Sequence, residues 1–223
     1  MSGPYSVSKL TKSDKPLFVT LMRRAFARDP LFLHIFGDSE QDRRARGRVE
    51  AFVSFLFDKS LLFHEEEVWG VFENERLLGT YLVEKPPTRR PNVSGVLFLT
   101  MRLIPLLFQI STRAVNLLNS YMHVTRSAAP SVTHHYLIMI GVQPEAQGKG
   151  IGRVMLQHLL DTVNADKNSC GIALDTENKE NVHLYQRFGF TLNKETQFDN
   201  LSVYCMFHQK ISPENDASTL KSE

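Results

Sequence analysis

The stretch "MIGVQPEAQGKGIGRVMLQHLLDTV", Met139 to Val163, decides how this chain is read. An apolar run gives way to glycines at 148, 150 and 152 and then to apolar residues at helical spacing, with Val154, Met155, Leu159 and Leu160 facing inward. The implied order is strand, short loop, helix, with the helix starting near Gly150. Two phosphate loops fail on spacing. A Walker A loop needs Ser or Thr directly after its lysine, and none follows Lys149; a dinucleotide fingerprint needs G-x-G-x-x-G, whereas the spacing here is G-x-G-x-G. A helix N-terminus still offers free backbone N–H groups and the positive end of a dipole. Glycines without Cβ atoms let a diphosphate approach that backbone, and Lys149 and Arg153 add positive charge at the rim. A tight turn with no ligand fits the same residues, so the loop alone leaves both readings open.

Working outward, "HHYLIMIGV" before the loop and "CGIALDT" after the helix read as buried strands. "KENVHLYQRFGF" reads as a short helix ended by Gly189, and "LSVYCMFHQ" as the strand that closes the sheet. A βαβ unit of this kind is parallel and right-handed. Upstream, Tyr5 to Thr11 is a first strand. A helix capped by Ser13 or Asp14 follows, with Leu17, Phe18, Leu21, Met22, Ala25 and Phe26 on its apolar face, and Asp29-Pro30 stops it. A second helix runs from about Glu40. "EVWGVFENERLLGTYLVEK" is a hairpin turning at Glu73-Asn74-Glu75-Arg76, and Pro86-Pro87 ends it. Residues 88–133 form a helical insertion, read as the wall of a cleft or as an interface.

The 223 residues are 42% hydrophobic and 22% charged, which is ordinary for a soluble globular chain. One core handles up to about 250 residues, so a single domain over 1–211 is expected, with 212–223 as a disordered tail. The net charge of +2 gives no reason to expect a nucleic acid partner, and "DRRARGR" and "PPTRRP" read as solvated runs. "VLFLTMRLIPLLFQI" (Val96 to Ile110) is too short and too polar to span a membrane, which takes about 20 apolar residues. Cys170 and Cys205 lie in strand-like flanks as expected buried fillers, too few for a disulfide framework and without metal-ligand spacing. No secretory signal is visible, so the cytoplasm is the expected compartment.

Gln147-Gly148-Lys149-Gly150-Ile151-Gly152 is Q-x-x-G-x-G, and "NKENVHLYQRFGF" (Asn178 to Phe190) matches N-x-x-A-x-x-L-Y-x-x-x-G-F with Asn181 in the alanine place. On these two motifs the chain resembles the GCN5-related N-acetyltransferases, and within them the puromycin-type subgroup. The resemblance implies an α/β (α+β) fold: one domain with a mixed central sheet flanked by helices. It also implies acetyl-coenzyme A as acyl donor. Backbone groups of Ile140, Gly141 and Val142 would pair with its pantetheine arm. The N–H groups of Gln147, Gly148, Lys149, Gly150, Ile151, Gly152 and Arg153 would bind its pyrophosphate, and Asn178 or Asn181 would hydrogen-bond the arm. Tyr185 would be the general acid toward the leaving thiolate, a phenol of pKa about 10 being matched to that task. A backbone N–H near Val142 would stabilise the polarised carbonyl oxygen.

The acceptor is not written in these motifs. Glu84, His134, His135, Asp175 and Glu177 are candidate general bases, and many relatives need none. The inserted apolar helices favour a small, partly apolar amine over a charged polymer. A coenzyme A sensor without turnover, and transfer of a longer acyl group, are the alternatives. A homodimer through late exposed strands stays open.

Overall fold

Near-continuous runs of β-branched and aromatic residues, buried on both faces, make "EEVWGVFE" and "RLLGTYLVE" into two strands, β2 (Glu66–Glu73) and β3 (Arg76–Glu84). Asn74 and Glu75 join them with φ of +46° and +66°, the pair of left-handed conformations that a two-residue hairpin demands. The computed structural model describes residues 5–62, 65–86 and 106–210. The apolar run from Val96 falls mainly outside them, as do the expected tail and the Arg89-Arg90 pair. Around the hairpin the other strands are β1 (Ser6–Lys9), β4 (His135–Val142), β5 (Gly171–Thr176), β6 (Thr191–Phe198) and β7 (Leu201–Gln209). They make one seven-stranded sheet in the order β1-β2-β3-β4-β5-β7-β6. β4 and β5 are parallel and every other pair is antiparallel.

Two layers of helix cover this sheet. α1 (Lys15–Ala25), α2 (Pro30–Phe36), α3 (Arg43–Leu62) and α4 (Thr112–Ala128) serve one face. α5 (Ile151–Ala165) and α6 (Lys179–Gln186) serve the other. Strand alternation feeds both: Val71, Tyr81 and Val83 pack toward α5, while Val68, Leu77, Leu82 and Met139 pack toward α1 and α3. Met155 is fully buried in the first cluster, so truncation to Ala there costs about 2–5 kcal/mol. This is the single mixed α/β domain that the sequence implied.

Four local expectations need correction. Asp29-Pro30 does not merely stop a helix. α1 ends at Ala25, and Asp29 caps the next helix by accepting from the Phe32 N–H at 3.1 Å, with Pro30 in the first turn where no amide donor is needed. Leu17 is 49% exposed and off the apolar face. Cys170 is exposed and only Cys205 is buried, because Cys170 sits just before β5 rather than in it. The strand "LSVYCMFHQ" does not close the sheet. β7 lies between β5 and β6, and β6 is the edge. The segment "TLNKETQF" has no buried face until Phe198, so no alternation marks it; polar edge strands of this kind resist unwanted pairing. No described helix is long and apolar enough to cross a membrane.

Candidate active site

The site begins where β4 parts from β5. The two strands pair only from His135 to Leu137, opposite Ile172 to Leu174. On the β3 side the register slips between Leu82 and Val83, leaving Ile138 as an extra residue. Beyond that bulge, Ile140, Gly141 and Val142 keep their β3 partners and have no β5 partner, so one edge of their backbone is free of strand pairing. Gly141 also has a packing role: a Cβ there would lie 2.9 Å from Met22 Sδ, so glycine lets α1 press on β4.

The glycine loop follows at the end of β4. Gly148 and Gly150 have φ of +76° and +84°, a left-handed backbone that other residues enter only with strain. A Cβ at 148, 150 or 152 would meet nothing within 4 Å. Gly152 has no positive φ, so neither backbone nor packing within the described residues calls for glycine there. No side chain caps α5, and the N–H groups of Ile151, Gly152 and Arg153 find no acceptor among the described residues. Gln147, Lys149 and Arg153 are exposed around this open cradle. The arrangement fits a diphosphate, and a tight turn alone does not account for Gly152.

On the helix-lined side, α2, α3, α4, β4, the end of β5 and α6 enclose a cavity of about 330 Å³. Tyr185 and Asn181 of α6 reach it, with Ile140 of β4 and Asp175, Thr176 and Glu177 at the end of β5. Tyr185 is 6% exposed and its hydroxyl has no hydrogen-bond partner among the described residues. Burial first, then the charges of Asp175, Glu177 and Asp29, push its phenol well above the ordinary value, so it holds its proton. Asn181 Nδ2 reaches Thr176 Oγ1 at 3.4 Å, whereas Asn178 caps α6 through Oδ1 to the Glu180 N–H at 2.9 Å. The two asparagines therefore have different surroundings.

The candidate bases separate just as sharply. Glu84 pairs with Arg126, whose guanidinium lies 3.7 Å over the Tyr136 ring. His134 sits beside Val132 O at 2.6 Å. His135 is buried, meets Ser169 Oγ at 2.9 Å and lines a different hollow with Asp166, and burial lowers its pKa. Asp175 and Glu177 do line the cavity. Asp175 accepts from the hydroxyls of Tyr121 and Tyr136, and Glu177 also meets the Tyr121 hydroxyl. Burial, then Asp29 and Asp175, raise Glu177 from 4.5 to about 8. Burial raises Asp29 from 3.8 to about 6. Sequence reading missed Asp29 and Tyr121: the one reads as a helix stop, the other as one residue of the helical insertion. Among the described residues, no group of His, Cys, Asp or Glu is arranged to hold a metal ion.

A strand pair that splays beside a glycine-cradled helix terminus is the frame of the site. Residues 30–190 match the model of the Acetyltransferase (GNAT) family, and the chain belongs to that family. Solved structures agree in fold. A histone acetyltransferase HPA2 and related acetyltransferase from Corynebacterium glutamicum aligns over 94% of this chain and 98% of its own, at 20% identity and a TM-score of 0.68. The PaiA N-acetyltransferase of Thermoplasma acidophilum, solved in complex with coenzyme A, covers 94% and 99% at 14% identity and a TM-score of 0.56. The ribosomal-protein-S18-alanine N-acetyltransferase of Escherichia coli covers 95% and 97% at 16% identity and 0.53. No curated protein matches the chain. None of these singles out a puromycin-type subgroup. Membership carries the family's general chemistry, acetyl-coenzyme A-dependent acetyl transfer.

Proposed function

We propose that the chain acetylates the amine of a small molecule by direct transfer from acetyl-coenzyme A, with Tyr185 as general acid. The observation that carries this reading is the buried Tyr185 hydroxyl, unpartnered among the described residues and set in a cavity beside the free edge of β4. Bound acetyl-coenzyme A supplies the acyl group as a thioester. The free edge of Ile140 to Val142 can pair with the amides of its arm. The N–H groups from Gln147 to Arg153 can hold its pyrophosphate, and Asn181 is better placed than Asn178 to meet the arm.

In the reaction the amine nitrogen forms a C–N bond to the acyl carbon as the C–S bond breaks. The sulfur leaves with the electron pair and takes the Tyr185 proton. One proton is lost from the attacking nitrogen and one from its ammonium form, so the phenol is restored and one proton is released overall. A phenol well above its usual pKa keeps its proton until a strong base develops beside it, and a cation near the carboxylates would bring it back toward the thiol. Calorimetry with acetyl-coenzyme A, followed by a thiol-release assay across an amine panel, tests this. Binding with release on at least one amine is expected. Binding without release on any amine would make the protein a sensor, and preference for a longer acyl donor would replace acetyl by that group.

A further inference from the structure

The cavity beside Tyr185 has two chemically distinct ends. Asp29, Asp175 and Glu177 stand at the end nearest the β5 terminus, and the rest is walled by rings and branched chains such as Phe26, Phe32, Phe52, Phe55, Ile110 and Leu118. The cation Lys59 also lines it, and it is paired with Glu66. We propose that the acceptor is a primary amine on an apolar alkyl or aryl body. Its ammonium sits among Asp29, Asp175 and Glu177, its body lies along the aromatic wall, and Glu177 takes the proton that the amine sheds. This rests on the acetyl-transfer reading above and names its substrate class.

Donor counting supports the assignment. Tyr121 has one hydroxyl proton and meets two carboxylates, Asp175 and Glu177. Asp175 also receives the Tyr136 hydroxyl, and Asp29 receives the Phe32 N–H. When Tyr121 serves Asp175, Glu177 is left to accept from a ligand. Tyr185, a residue 6% exposed whose hydroxyl has no partner among the described residues, lines the same space. Each carboxylate there disfavours ionisation of the others, and a cation in their midst removes that penalty. Asp29, Asp175 and Tyr121 from α4 act on Glu177, and Tyr185 from α6 and Lys59 from α3 line the same cavity. A sugar, peptide or polyamine would set polar or charged groups against a wall of rings that offers them few partners, which is unfavourable. The volume, about 330 Å³, is at the small end of the roughly 300–1,000 Å³ of small-molecule sites.

The test uses the full chain. Acetyl-coenzyme A binding is first measured by calorimetry; failure there overturns the acetyl-transfer reading itself, and the acceptor assignment with it. With binding established, thiol release is compared for n-octylamine and 4-phenylbutylamine against spermidine, glucosamine and a lysine-containing tetrapeptide. The apolar amines should lead by about tenfold or more in kcat/KM, a gap of the size that one well-filled apolar subsite provides. Equal or faster turnover of any polar acceptor, or no turnover of the apolar amines, overturns the proposal. Glu177→Gln should lower kcat/KM for octylamine about tenfold or more and displace the rising limb of its pH profile upward, toward the pKa of the amine itself, with acetyl-coenzyme A affinity kept. Leu118→Trp, which narrows the apolar arm, should cost octylamine more than propylamine; equal losses would count against the proposed seat.

Discussion

The glycine cradle and the acid-ended cavity, the two regions proposed to bind donor and acceptor, are built in opposite ways. The cradle is contiguous: Gln147 to Arg153 supply it from one turn, through backbone N–H groups rather than side chains. The cavity is assembled from α2, α3, α4, β4, β5 and α6, so Asp29 and Glu177 become neighbours only after the sheet has formed. A contiguous backbone site tolerates variation around it and still holds the same ligand. A dispersed side-chain site can change its ligand with every element that borders it. That difference suits the proposed chemistry, in which the cradle holds the donor and the cavity selects the acceptor.

The comparison breaks most visibly at Gly150. Gly150→Glu, which places a Cβ and a charge in the open space of the cradle, should lower acetyl-coenzyme A affinity more than about 100-fold by calorimetry. Gly150→Ala, equally strained at φ +84°, should lose much less; unchanged affinity in the Glu variant would remove the pyrophosphate assignment.

Next in size is Tyr185→Phe. Its kcat should fall about 100-fold or more while acetyl-coenzyme A affinity is kept, because only the acid is lost. A normal kcat would leave Tyr185 as a packing residue on Phe190, whose ring centroid is 5.7 Å away. Smaller again is Gly152→Ala, where the new methyl meets no protein atom within 4 Å. Affinity should drop about tenfold, roughly 1.4 kcal/mol, with no loss of melting temperature. Equal affinity would return Gly152 to a turn without a ligand.

The smallest effect is one of stability on the cavity side. Folding raises Glu177 from 4.5 to about 8, so between those values the folded chain holds a proton that the unfolded chain has released. The resulting stabilisation is complete below pH 4.5 and is lost as pH rises through about 8. Glu177→Gln stays neutral throughout, so its melting temperature should gain steadily on the parent between pH 5 and 8.5. A parallel pH dependence in the two proteins would show that Glu177 is not held among carboxylates.

Much of the frame was legible from pattern. The hairpin at Asn74-Glu75, the helix from Ile151 and the cap turn at Gly189 are each decided within a few residues, by β-branched and aromatic runs around a turn, helical spacing or a left-handed glycine. β6 was not legible, because its pairing is through backbone and its side chains face water. Asp29 looked like a helix stop for the same reason that it is a good cap: Asp before Pro marks a boundary, and which side the next helix lies on depends on packing. Of the five candidate bases, no local signal distinguishes Asp175 and Glu177 from Glu84, His134 and His135. Only the closing of α4 over β5 brings Tyr121 to the first two, while Arg126 engages Glu84.

By itself the sequence determined the strand-loop-helix unit and its open glycine cradle, since backbone geometry and helix-terminus electrostatics act over neighbouring residues. Two motifs at a set separation also marked the family, and through that resemblance Tyr185 as the candidate acid. Tertiary structure alone decided which acids share a cavity, which histidines lie elsewhere and what the cavity wall is made of. Charges and rings far apart in the chain interact only once burial lowers the dielectric around them and packing sets their distance.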